Sequence, residues 1–145
     1  MRFVDERTLP AGCERVHAML ADIERYPEFL PGWEEARILA RTHDRLQVIQ
    51  TVRAGPVPLR FHTEARLTPQ HLRIRGCDGP FRRLTIDWWL EARGAEGCRV
   101  RLEVELDVRA GPLARLLEGR FRQQARGLLA HFARRLAALD AAPPG

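Results

Sequence analysis

Between residues 98 and 139 the hydrophobic period of the chain changes once, and that change restricts the possible folds more than any other feature. Cys98, Val100, Leu102, Val104, Leu106 and Val108 alternate with Arg99, Arg101, Glu103, Glu105, Asp107 and Arg109. Successive strand side chains point to opposite faces, so the alternation predicts a strand with one dry face and one wet face. After Arg109-Ala110-Gly111-Pro112 the period lengthens to that of a helix. Leu113, Leu116, Leu117, Phe121, Ala125, Leu128, Leu129, Phe132, Leu136 and Leu139 form one apolar stripe. The stripe lasts about seven turns, about 40 Å at 1.5 Å per residue, and Pro112 suits its first turn. A single long helix of this kind needs an apolar surface to lie on, and the dry face of a sheet supplies it.

The rest of the chain agrees. Leu59, Phe61, Thr63, Ala65 and Leu67 alternate with Arg60, His62, Glu64 and Arg66, and period two holds from residue 34 to 109. Turn signals at 42–45, 54–58, 68–70, 77–80 and 93–97 divide this region into strands. Upstream, Val16, Met19, Leu20 and Ile23 mark an amphipathic helix over 13–26, ended by Tyr26-Pro27. The order is strand, short helix, six strands, long helix. It predicts an α+β fold in which a curved antiparallel sheet of about seven strands wraps the C-terminal helix. One domain is expected over 1–140, with a frayed tail at 141–145.

Composition excludes several chemistries. The 145 residues include no Ser, no Asn and no Lys, and all 24 basic residues are Arg. A serine nucleophile, a lysine Schiff base and a P-loop lysine are therefore ruled out. His17, His43, His62, His71 and His131 show no HxH, HExxH or HxxxH spacing, so no metal site is expected. His62 and Glu64 point the same way on one strand, and a solvated pair on the wet face is the expectation rather than an acid/base dyad. Cys13, Cys77 and Cys98 are odd in number and widely spaced, which favours free thiols over a disulfide framework. No apolar run approaches the roughly 20 residues that cross a bilayer, and the N-terminus lacks a signal-peptide pattern. The expected location is the cytoplasm, with room for peripheral contact at the inner face of a membrane. A net charge of +5 suits an acidic partner.

YPEFLP at 26–31, DGPFRRL at 78–84 with Trp88 four residues on, and GCRVRLEVELDV at 97–108 together resemble the START-like, helix-grip (SRPBCC) proteins of the coenzyme-Q-binding branch. That branch also holds proteins described as ribosome-association toxins, and polyketide cyclases lie in the wider superfamily. The resemblance spans about residues 3–139 and implies a deep apolar cavity for a lipid-like molecule, quinone or polyketide. Two positions depart from the family pattern. Pro31-Gly32-Trp33 stands where Pro-Trp-Cys is usual, and Ile86 stands where Gly is usual, which implies a narrower cavity or a shorter tail.

On this reading Tyr26, Phe29, Leu30 and Trp33 either form the rim of the cavity or cap the core. Leu59, Phe61, Leu84, Trp88, Leu102 and Val104 are candidate ligand contacts from the sheet, with Phe121, Leu128 and Phe132 opposite on the helix. Asp78-Gly79-Pro80 is a hairpin turn, and Arg82 and Arg83 beside it are either plain surface or headgroup contacts. Arg115, Arg122 and Arg126, seven and four apart, form a helical stripe suited to ribosomal RNA or an anionic surface, extended by Arg134 and Arg135. The expected function is non-catalytic binding of ubiquinone or another isoprenoid as ligand, with no cofactor. The alternatives are a factor that binds the large ribosomal subunit and blocks subunit association, and a polyketide cyclase or aromatase.

Overall fold

A computed structural model describes residues 1–76 and 78–141. Cys77 and the proposed tail beyond 141 lie outside the described residues. Seven strands, β1 (Arg2–Leu9), β2 (Trp33–Arg41), β3 (Arg45–Ala54), β4 (Val57–Thr68), β5 (His71–Gly76), β6 (Phe81–Ala92) and β7 (Cys98–Val108), form one antiparallel sheet. Their spatial order is β1-β7-β6-β5-β4-β3-β2. Five hairpins run in sequence from β2 to β7, and β1 closes beside β7. Between β1 and β2 lie α1 (Cys13–Ala21) and a 3₁₀ turn, Ile23–Glu28; α2 (Ala114–Ala141) ends the described chain. The strands and the long helix fall where the two periods place them.

The sheet is curved, and α2 lies along its concave side. Val100, Leu102, Val104 and Leu106 of β7 are buried toward the helix, as are Phe61, Thr63 and Ala65 of β4. From α2, Phe121, Ala125, Leu128, Leu129, Phe132 and Leu136 are buried against them. With 28 residues, α2 is about 42 Å long. No helix of the described residues is long and apolar enough to cross a membrane.

Two local expectations are corrected. The first helix stops at Ala21, and the chain passes Tyr26-Pro27 in the 3₁₀ turn rather than ending there. Tyr26 O accepts from the amides of both Phe29 and Leu30 (3.2 and 2.9 Å), so the tighter coil continues past a proline that has no N–H to give. Cys13 and Cys98 are joined in a disulfide across 85 residues of sequence, not left as free thiols. Cys13 opens α1 and Cys98 opens β7, so the bond ties the short helix to the sheet. Their wide spacing hid a proximity created by the fold.

Gly79 takes φ +59° in the β5–β6 hairpin. A Cβ there would lie 2.6 Å from Arg60 O and 3.0 Å from Phe61 Cβ. Both are atoms of β4 that cannot swing away. Gly79→Ala is expected to cost at least about 1–2 kcal/mol, the penalty of the left-handed region alone, measured by urea unfolding.

Candidate functional site

The aromatic junction after α1 packs against Phe132 of α2. Tyr26 is buried, and its ring meets those of Phe29, Trp33 and Phe132 edge to face at 6.1, 6.4 and 5.3 Å. Its hydroxyl donates to Leu20 O, and burial pushes the phenol well above its usual pKa, so it is a neutral donor already in use. Phe132 also meets Trp88 and Phe29, both at 5.1 Å. Tyr26, Trp33, Trp88 and Phe132 line a cavity of about 70 Å³ between sheet and helix.

Of the residues expected to touch a ligand, Trp33, Phe61, Leu84, Trp88, Val104, Phe121, Leu128 and Phe132 line this cavity. Ile86 lines it too, so its branched side chain forms part of the wall. Four others sit elsewhere. Leu102 is wholly buried in the core, and Leu59 is half-buried on the sheet. Leu30 lines an adjoining surface groove of about 380 Å³. Phe29 faces away from the cavity, with the Arg135 guanidinium 5.0 Å over its ring.

The alternation of β4 sets Thr63 on the same face as Phe61, but nothing in the pattern links it to Gln50. Trp33 Nε1 donates to Gln50 Oε1 at 2.9 Å, and Gln50 Nε2 donates to Thr63 Oγ1 at 2.9 Å. Gln50 and Thr63 are buried. An indole N–H only donates, so the Gln50 oxygen must face Trp33 and its amino group must face Thr63. The Thr63 hydroxyl hydrogen and the second Gln50 amide hydrogen have no acceptor among the described residues. The cavity therefore presents two donors in an apolar wall. Gln124 also lines it, but its Nε2 donates to Arg53 O at 2.9 Å across the mouth. Trp33, Gln124 and Leu128 line both cavity and groove and so form the partition between them.

Outside the cavity, His62 pairs with Asp78 rather than Glu64. Its Nδ1 lies 2.7 Å from Asp78 Oδ2, and Glu64 instead accepts from Gln47 at 2.8 Å. The DGP turn brings Asp78 back over β4, a contact that the spacing of two along one strand did not disclose. Burial acts to raise the Asp78 carboxyl, but hydrogen bonds from His62 outweigh it and hold the group below the usual carboxylate range. Arg82 occupies a bulge in β6, and the adjacent Arg83 lies 3.5 Å from Asp107; both are exposed. On α2, Arg122 lies 3.6 Å from Glu118, while Arg115 and Arg126 are exposed with no ion pair among the described residues. Arg135 pairs with Glu28 at 2.9 Å, and Arg134 contacts His131. Among the described residues, no group of three or more His, Cys, Asp or Glu side chains is placed to hold a metal.

A sheet gripping one long helix around an apolar cavity defines a helix-grip protein. The chain belongs to the polyketide cyclase/dehydrase and lipid transport family, whose model matches residues 9–133. It is 30% identical over 112 residues to the ribosome association toxin RatA of Pseudomonas aeruginosa, covering 77% of each chain. It is 28% identical over 100 residues to the protein of the same name from Escherichia coli K12, covering 68% of this chain and 63% of that one. Among solved structures, a Thermus thermophilus protein matches with a TM-score of 0.85 at 23% identity, covering 97% of this chain and all of that one. The Zhui aromatase/cyclase of Streptomyces sp. R1128 matches with a TM-score of 0.83 at 17% identity, covering 93% and 92%. A STAR-related lipid transfer protein of Xanthomonas axonopodis gives 0.77 at 15% identity, covering 94% and 85%. The three structural likenesses establish the fold.

Proposed function

We propose that the protein binds, without transforming it, a compact apolar molecule bearing a carbonyl-type oxygen, and that a quinone ring with an isoprenoid tail fits this description. The supporting observation is the pair of unspent donors on Gln50 and Thr63 within an otherwise apolar cavity. The cavity alone, about 70 Å³, is smaller than the roughly 150 Å³ apolar void that takes up benzene. Cavity and groove joined reach the range of ordinary small-molecule sites, about 300–1,000 Å³. Displacement of Trp33 and Gln124 joins them. The ring then lies inside with its oxygen on Thr63, and an apolar tail leaves along Leu30, Pro31 and Leu128. Desolvation drives entry at about 25 cal/mol per Å² of apolar surface. Among the described residues, no carboxylate, imidazole or thiol lines the cavity, so this part of the wall offers no general base for cyclisation.

The test is titration with 1,4-naphthoquinone and with naphthalene, followed by the fluorescence of Trp33 and Trp88. Thr63→Val keeps the shape and removes the donor. It is expected to weaken naphthoquinone binding about 3- to 10-fold, the worth of one hydrogen bond, and to leave naphthalene unchanged. Equal losses for both ligands, or no binding of naphthoquinone by the native protein, would refute the proposal. A second reading, a factor acting on ribosomal subunits, is favoured by the similarity to ribosome association toxins. It predicts co-sedimentation with subunits that is lost as salt rises, whereas ligand binding in the cavity is nearly indifferent to salt.

A further inference from the structure

The outer, convex face of the sheet carries a feature that the cavity does not use. Leu46, Ala65, Leu72 and Ile74 are buried toward the helix, so the residues alternating with them point outward. Register then sets Arg45 of β3 opposite Arg66 of β4, and Arg66 opposite Arg73 of β5. Neighbouring strands are about 4.7–4.9 Å apart, so three guanidinium side chains rise from one short row. Arg73 is tied to Asp87 through a 2.7 Å hydrogen bond. Arg45 and Arg66 have no ion pair among the described residues, and neither has Arg75 on the same face; all three are exposed. Like charges directly opposite on adjacent strands are destabilising, and an anion laid across them removes that repulsion.

The next row holds a flat platform. His71 and Trp89 face each other across β5 and β6, with ring centroids 3.8 Å apart and planes 9° from parallel. Trp89 is 42% exposed, unusual for so large an apolar side chain. Beyond it the face becomes balanced, because Arg99 and Arg101 pair with Glu6 and the arginine row continues into Asp87 and Glu103. Unpaired positive charge therefore ends where the aromatic platform begins.

We infer that this convex face, from Arg45 and Arg66 to the His71–Trp89 stack, binds single-stranded RNA, with phosphates on the arginines and a base on the indole. Sequence-tolerant readers of single strands combine a basic track with exposed aromatic faces. The exposed part of this patch is charged or aromatic rather than aliphatic, which favours RNA over a lipid surface. The inference deepens the ribosomal reading and rests on it for the cellular partner; it is independent of the cavity.

The experiment measures fluorescence polarisation of a short labelled single-stranded RNA across a salt series, with melting curves to confirm folding. Arg45→Ala/Arg66→Ala is expected to weaken binding at least about tenfold at about 50 mM salt. It should also make the slope of log K against log salt shallower by about 1.4, two phosphate contacts at about 0.7 each. Trp89→Ala is expected to cost about 5- to 100-fold with little change in slope, and Trp89→Phe to restore most of the loss. Arg115→Ala/Arg126→Ala on α2 is the comparison and should bind within about twofold of native. The inference is overturned if native protein binds no RNA at low salt, if the helix pair loses as much as the sheet pair, or if Trp89→Ala is neutral. It is also overturned if vesicles of anionic lipid bind and RNA does not. Co-sedimentation with ribosomal subunits separates the two claims. Subunit binding indifferent to the sheet variants overturns the surface and leaves the ribosomal reading. RNA binding that depends on the sheet, without subunit binding, supports the surface and refutes that reading.

Discussion

Phe132→Ala is expected to lower the free energy of unfolding by about 3–5 kcal/mol. The ring is wholly buried and meets Tyr26, Phe29 and Trp88 edge to face, so one substitution removes a contact with each of three aromatics. It also joins α2 to the segment after α1, beside the Arg135 contacts to Glu28 and the Phe29 ring. Loss of the ring enlarges the cavity that Phe132 already lines, and the walls close only in part because sheet and helix are both stiff. Urea unfolding followed by tryptophan fluorescence measures the change. With a slope of about 1–3 kcal/mol per molar, the midpoint should fall by more than about 1 M. A loss under about 1 kcal/mol would show that the helix does not press this ring into the cluster.

Reduction of the Cys13–Cys98 disulfide should cost about 2–4 kcal/mol. The bond closes a loop of 85 residues, which includes α1 and most of the sheet, and a cross-link of that span restricts the unfolded chain strongly. In a chain of this length the melting temperature should fall by about 5–15 °C on adding reductant. Cys13→Ala/Cys98→Ala should melt with the reduced protein and be indifferent to reductant. If the native protein melts alike with and without reductant, the bond does not form in solution.

The two hydrophobic periods were sufficient to read the strand faces, the hairpins and the long helix, because each depends on residues close in sequence. Phe61, Trp88 and Phe121 were legible as inward for the same reason. Features set by register or chain path were not. Gln50 sits in the run Val48-Ile49-Gln50-Thr51-Val52, where nothing marks it as a cavity residue until Trp33 folds back onto it. Cys13 meets Cys98, and Asp78 meets His62, only after the sheet has closed. Arg45, Arg66 and Arg73 are separated in sequence, and the pairing of three strands puts them in one row. The arginine stripe of α2 is legible in the sequence because its members lie within a few turns of one another.

Trp88 and Trp89 are consecutive, yet one lines the cavity and the other stands on the convex face. A single layer of backbone separates the two surfaces, so a molecule that forces β6 to twist as it enters also turns the indole outside. Any such coupling is reciprocal. The factor by which an occupied cavity changes affinity for a partner on the outer face equals the factor by which that partner changes affinity for the occupant.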